Sequence, residues 1–277
     1  MRLALAIAAA AAGLAAAGAA AAAPSVEIRD AVVRVTVVPE DRGDVKVEML
    51  SSNAALPLEV RTQGGTTVID GNLRHRIRDC HNNSDRPSAW VSGIGQVGYE
   101  NMPQVVVHVP RAVSLATNGA VYGSIGRAAS VELENSGCSS WTLADVAGEA
   151  TLHESGAGSV RMGSSGRLAL HLSGAGSVHA TQVREGLDAT LSGAGGVHID
   201  ALNGPMMAHV SGVGHINVAQ GHATMIRASI SGVGGVDFGG DAQSLDASIS
   251  GWGGIRVKAV SGSVTKSVSG GGHVTVG

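Results

Sequence analysis

Large aromatic side chains are nearly absent from this chain, since Phe, Trp and Tyr make up 2% of its 277 residues. A core must therefore be built from Val, Ile, Leu and Ala in thin layers, and glycine is abundant at 41 residues. The formal net charge is −3, and Lys and Arg form no cluster. Without a basic patch, nucleic acid and anionic lipid surfaces are disfavoured as partners.

Long apolar runs are also absent after residue 23. Before that point, Met1 and Arg2 are followed by an Ala-rich run that ends in small residues just before Pro24. This pattern predicts a secretory signal peptide over residues 1–23, with a retained membrane anchor as the alternative. We expect an exported bacterial protein of the periplasm or cell surface, with no membrane insertion after cleavage and one domain over residues 24–277.

Cysteine is scarce, with Cys80 and Cys138 as the only two. In an oxidising compartment two cysteines usually pair. We therefore predict a disulfide between them, which would tie the N-terminal segment to the first coils of the repeat region.

One phrase, Ser-Gly-x-Gly-x-(Val/Ile), dominates the second half of the chain. It begins at Ser155, Ser173, Ser192, Ser211, Ser231, Ser250 and Ser269. A fixed period of 18 to 20 residues is typical of a solenoid, in which each repeat forms one coil and buries its apolar face against its neighbours.

The residues around the phrase alternate between apolar and polar, as in half-buried strands. An apolar residue precedes each serine from Ser173 onward, and a column of Val and Ile follows each Gly-x-Gly. The prediction is an all-β fold, a right-handed parallel β-helix with repeated coils over residues 111–277. Residues 24–110 should supply N-terminal strands and a cap, with strands at 30–38, 45–50, 58–62 and 104–109.

The order of motifs along the chain is similar to that of a known family. The run Val105-Val106-Val107-His108-Val109-Pro110, then Leu115-Ala116-Thr117-Asn118-Gly119, then serial Ser-Gly-x-Gly coils after a signal peptide resembles the GIN-domain family, whose label is "putative auto-transporter adhesin head". The resemblance implies an exported β-helical domain of bacterial envelopes and supplies no catalytic site.

We accordingly predict a non-catalytic cell-envelope interaction or scaffold domain, with an adhesin-like role as one form of it. The alternative is a carbohydrate-active β-helix enzyme, a lyase or hydrolase. Such an enzyme needs clustered carboxylates in a cleft, and coils that vary by only two residues leave no long insertion to wall one. An acidic groove on one face would distinguish the two.

Three residues are candidates for binding. Trp252 stands at a corner where other coils have Ala, Val or Gly. His179 and His198 share an outward column on adjacent coils, close enough to share a transition metal, and His153 and His171 do likewise on the other strand. The repeat pattern supplies no third ligand, so the sequence predicts no metal site and no cofactor.

The last repeat carries Lys266 where earlier coils have Ala. An inward charge at a sheet edge opposes end-to-end stacking, but a single lysine covers little of a coil's cross-section. We expect the C-terminal coil to be covered by a second copy, as a homo-oligomer, or by another protein. The remaining partner is expected to be an envelope polysaccharide or protein.

Overall fold

The computed structural model describes residues 23–81 and 87–277. The predicted signal peptide, except for its last residue, lies outside the described residues.

Strands and short turns of 3-10 helix form the described part of the chain. Eight strands precede the repeat region: β1 (Ser25–Glu40), β2 (Lys46–Ser51), β3 (Glu59–Gln63), β4 (Thr66–Asp70), β5 (Ile77–His81), β6 (Ser88–Val91), β7 (Gly95–Gly98) and β8 (Gln104–Pro110). The 3-10 turns are Arg74–Arg76 and Tyr99–Asn101. The four strands predicted in this segment correspond to β1, β2, β3 and β8.

Fifteen further strands form the coils. They are β9 (Ala112–Ile125), β10 (Ser130–Asn135), β11 (Ser140–Leu143), β12 (Ala150–Glu154), β13 (Ser159–Leu172), β14 (Ser177–Leu191), β15 (Gly196–Asn203), β16 (Met206–Val210), β17 (His215–Ala223), β18 (Ile226–Ile230), β19 (Gly235–Ala242), β20 (Leu245–Ile249), β21 (Gly254–Val260), β22 (Val264–Val268) and β23 (His273–Val276).

Successive coils pair in parallel, and equivalent residues of the repeat lie opposite one another. Val178 of β14 pairs with Val197 of β15, which pairs with Ile216 of β17. The coils of about 19 residues form a β-solenoid of about nine turns. The predicted all-β parallel β-helix is therefore confirmed.

The core is a continuous stack of small aliphatic layers. Within one coil, Val178, Val183, Leu187 and Leu191 are each at most 1% exposed, and the outward residues between them are polar. The alternation places one apolar set inside the coil, as expected for strands whose successive side chains point to opposite faces. Because every layer repeats, the core needs few aromatic rings.

The repeated glycines serve two different purposes. At the corners they permit close packing: a Cβ on Gly193 would overlap the carbonyl oxygen of Gly174 in the preceding coil. At the return turns some adopt a left-handed backbone, as Gly204 does at φ +98°. Only glycine takes that conformation readily. The sequence predicted that the corner needs one of these two conditions, and at Gly193 the structure assigns close packing between coils.

The N-terminal segment does not follow chain order along the stack. Strand β1 is inserted between β9 on one side and the shorter strands β4 and β8 on the other, always in parallel. Strands β3 and β2 then add to β4 and β8 in antiparallel fashion. The antiparallel pair thus lies outside the parallel stack at its N-terminal end.

A small antiparallel sheet of β5, β6 and β7, here called the side sheet, packs beside the stack over an apolar cluster that it shares with β1 and β9. The isolated phrase that begins at Ser92 resembles a coil corner in sequence, but it forms the turn between β6 and β7. Gly93 and Gly95 have φ values of +83° and +98° there. The phrase therefore does not by itself define a coil.

Candidate functional site

The two candidate histidines lie side by side on the outer surface of the solenoid. His179 of β14 and His198 of β15 are paired in register, and their ring centroids are 5.0 Å apart at an interplanar angle of 66°. Their side chains are about half exposed. The predicted juxtaposition is present because equivalent positions of adjacent coils are neighbouring strand residues.

A third polar group joins them. The Oδ1 atom of Asp200 lies 2.9 Å from Nε2 of His179 and 3.1 Å from Nε2 of His198. Asp200 follows His198 by two residues on β15 and therefore points to the same face. The sequence analysis assigned no third ligand to the two histidines, although the period-two spacing of Asp200 from His198 was a usable signal.

The two histidines border a shallow depression of about 420 Å³ on the outer face. Its floor is formed by the strand starts of three coils, and its wall includes Arg161, His179, His198 and His215. His215 is engaged elsewhere, since its Nε2 lies 2.9 Å from Oδ2 of Asp237. The nitrogen-bearing side chains at its border are therefore Arg161 and three histidines, and Asp200 contacts two of these histidines.

The second candidate surface is the row of residues between the two glycines of each corner, here called the corner ridge: Ala157, Ala175, Ala194, Val213, Val233, Trp252 and Gly271. Backbone hydrogen bonds of about 3 Å between adjacent corners keep these positions aligned, for example from the Trp252 N–H to the Gly232 carbonyl oxygen. The side chains become larger from Ala157 to Trp252. Val213, Val233 and Trp252 are 64%, 55% and 72% exposed. The indole of Trp252 lies over Gly271.

A buried polar ladder lies behind the early corners and was missed by sequence reasoning. Thr117 donates a 2.9 Å hydrogen bond to Oδ1 of Asn135, whose Nδ2 donates to Oε2 of Glu154 at 2.6 Å. All three side chains belong to buried residues. Burial raises the pKa of Glu154, while hydrogen bonds from Asn135 and from the backbone of Gly156 and Gly158 oppose that shift. The ladder occupies the column that is Leu, Val or Ile in later coils.

The sulfurs of Cys80 and Cys138 are bonded, with Cα atoms 6.2 Å apart and a sequence separation of 58. Cys80 belongs to the side sheet, and Cys138 lies at the corner between β10 and β11. The bond therefore joins the N-terminal segment to one of the first coils, as the sequence predicts.

The side chain of Lys266 turns back within the last coil. Its Nζ donates to the carbonyl oxygen of Val274 at 3.2 Å, and Lys266 pairs in register with Ala247 of β20. Val264 and Val268 on the same strand are 41% and 44% exposed. The homo-oligomer through this coil stays a prediction.

Three carboxylates border a smaller depression near the N-terminal end of the stack. Glu27, Glu132 and Glu134 line a volume of about 190 Å³ beside Ala116 and Ser114. The hydroxyl of Ser114 donates to Glu132 at 3.4 Å. An acidic surface of this kind is what the enzyme alternative requires, and the connections between the described coils are short.

Comparison with known proteins gives the fold class. No protein-family model and no curated protein match the sequence. The solved structure of a "putative lipid binding protein" from Parabacteroides distasonis is similar, with a TM-score of 0.51 at 18% identity, and covers 92% of this chain and 93% of that one. A "putative adhesin" from Bacteroides fragilis has a TM-score of 0.42 at 17% identity, over 91% and 92% of the chains.

At such low identity, the first likeness concerns the fold alone. It supports a β-solenoid that extends over nearly the whole chain. Within the described residues, no helix is both long enough and apolar enough to span a bilayer.

Proposed function

We propose that this protein is a non-catalytic interaction module of the bacterial cell envelope, of the GIN-domain kind, and that it binds its partner through the corner ridge. The observation that carries the proposal is the alignment of Val213, Val233 and Trp252 as exposed apolar groups on successive corners. Exposed contiguous apolar groups on a soluble protein commonly mark a binding surface.

The ridge is suited to an extended partner. Its side chains project from consecutive coils, which are spaced by about 4.8 Å as hydrogen-bonded strands. Trp252 offers a rigid apolar ring with a polar edge, the kind of group that often anchors recognition. We propose an envelope polysaccharide as the partner, because a linear polymer can follow a straight row of contacts.

Location and lack of catalysis are part of the same proposal. The Ala-rich N-terminal run supports export to the periplasm or cell surface. The similar protein from Parabacteroides distasonis is named for lipid binding, which is consistent with a non-catalytic role. Its name also makes a lipid surface an outcome that the experiment must separate from a glycan.

The test is binding of the purified protein to an array of envelope polysaccharides, with vesicles of neutral and anionic phospholipid in parallel. We expect glycan binding that Trp252→Ala weakens by about tenfold or more and that Trp90→Ala leaves unchanged. Trp90 is a matched control, because it is 52% exposed but lies on the side sheet. Equal weakening by both variants would argue against the ridge.

A carbohydrate-active enzyme is the second candidate function, because Glu27, Glu132 and Glu134 line a depression on the surface. Every bound glycan should therefore be analysed for cleavage products. Cleavage that Glu134→Gln abolishes would replace our proposal with the carbohydrate-active enzyme. Binding to vesicles but to no glycan would instead assign the ridge to a lipid surface.

A further inference from the structure

We propose that His179, His198 and Asp200 bind one divalent transition-metal ion on the outer face of the solenoid. One donor atom from each residue lies within 4.8 Å of the other two. The site is separate from the corner ridge, because it lies on the outward face of β14 and β15 beyond the corner.

The donor set suits a first-row metal such as Zn²⁺. Imidazole nitrogen favours zinc, copper and nickel, and a carboxylate oxygen is an accepted third ligand. With bonds of about 2.0–2.2 Å, two donors of one ion lie roughly 3–4 Å apart. The Nε2 to Oδ1 distances of 2.9 and 3.1 Å are already near that range, and the half-exposed histidines can rotate to adjust the third distance.

The backbone fixes the three ligands before any ion arrives. His179 and His198 are in-register neighbours in a parallel ladder, and Asp200 is two residues further on the same face of β15. Strand positions of this kind hold a site more precisely than loops do. Only side-chain torsions need to change, so little ordering free energy is spent on binding.

The surroundings leave room for further ligands. The site borders the depression of about 420 Å³, whose other charged or titratable groups are Arg161 on the preceding coil and His215 on the following one. Arg161 pairs in register with His179, and His215 bonds Asp237. Water can therefore occupy the remaining coordination positions, as in sites that keep an open position.

The molecule contains its own control for this proposal. His153 and His171 form a second pair on adjacent coils, with ring centroids 4.8 Å apart and nearly parallel planes. Among the described residues, no carboxylate joins this pair into a three-donor group. If a histidine ladder alone were enough to hold metal, this pair would bind as well.

The experiment is calorimetric titration of the untagged protein with Zn²⁺ at about pH 7.5. We expect one ion per chain and an affinity that falls at least ~10-fold in His198→Ala and in Asp200→Asn, since loss of even outer partners of a metal costs ~10–100-fold. His171→Ala should bind like the wild type.

The variants should unfold at the wild-type temperature in the presence of a chelator, since the three side chains are substantially exposed. Added Zn²⁺ should raise the unfolding temperature of the wild type and of His171→Ala only. The proposal is wrong if the wild type binds no Zn²⁺, if His198→Ala and Asp200→Asn bind as tightly as the wild type, or if His171→Ala weakens binding equally.

Discussion

The same inward position next to the corner is polar in the early coils and apolar in the later ones. Thr117, Asn135 and Glu154 occupy it first, and its later members are Leu172, Leu191, Val210, Ile230, Ile249 and Val268. The polar residues are tolerated because each finds a hydrogen-bonding partner one coil away. The position therefore requires a satisfied neighbour rather than a particular residue type.

The two regions also differ in what surrounds them. The early coils contact the side sheet and are tied to it by the bond between Cys80 and Cys138, whereas the later coils pack mainly on their immediate neighbours. In a stack of this kind stability is a sum over local interfaces. The early region thus has a long-range constraint that the later region does not share.

Removal of the disulfide should have the largest effect on the free energy of unfolding. The double variant Cys80→Ser with Cys138→Ser should lose about 4 kcal/mol of unfolding free energy in the chain-entropy model, because the unfolded chain is then no longer closed into a loop. The two cysteines are separated by 58 residues in the sequence. Urea unfolding of the variant and the wild type measures it. Wild-type protein with reductant should show a similar loss, and unchanged stability in both would contradict the prediction.

Interrupting the polar ladder should have an intermediate effect. Asn135→Leu removes the amide donor to Glu154 and the acceptor for Thr117, while Glu154 keeps the backbone donor of Gly156. We expect a loss of about 1–3 kcal/mol in total, the usual cost of an incompletely satisfied buried polar group. The triple variant with Thr117→Val and Glu154→Leu as well should recover most of the loss in urea unfolding, because it extends the apolar column. A triple variant less stable than the single one would show that the early coils do not tolerate the apolar residues found at this position in the later coils.

The smallest effect should be a pH dependence that comes from Glu154. Burial raises its pKa in the folded state above the usual value of about 4.3, so the folded protein binds the proton more tightly than the unfolded chain does. The contribution to stability is full below about pH 4 and is lost as pH rises through the folded pKa. Within that window the slope is at most about 1.4 kcal/mol per pH unit.

The measurement is the stability of the wild type minus that of Glu154→Gln, by urea unfolding at several pH values. This difference should fall as pH rises and then become constant. Glu132→Gln, which removes an exposed carboxyl from β10, controls for the loss of any carboxyl group. A difference that stays flat for Glu154→Gln would contradict the prediction.

Sequence reasoning was strongest where the chain repeats. The column of Val178, Val197 and Ile216 predicted both strand and register, because a fixed period aligns like residues in adjacent coils. It could not predict that β1 lies between β9 and β8, because no repeat marks that pairing. The phrase at Ser92 shows the limit of the motif alone, since glycine-rich turns of different kinds share the same sequence.

The candidate sites also have a part that the repeat period predicts and a part that it does not. The neighbouring positions of His179 and His198 were predictable from the period, and so was the place of Trp252 at a corner. The convergence of Asp200 on both histidines depends on side-chain torsions that no spacing rule specifies. The polar ladder of Thr117, Asn135 and Glu154 was not predicted because Thr117 and Asn135 lie before the first full phrase, where no repeated column marks an inward position.

The close packing of corner glycines has a consequence for how the length of this protein can change. Gly193 rests on the main chain of Gly174 in the coil below, so a gain or loss larger than the one or two residues by which the coils already differ would displace every corner above it. A gain or loss of one whole coil would preserve all such contacts. The unit of permissible variation is therefore a segment of about 19 residues, and copy number would set how far the corner ridge extends.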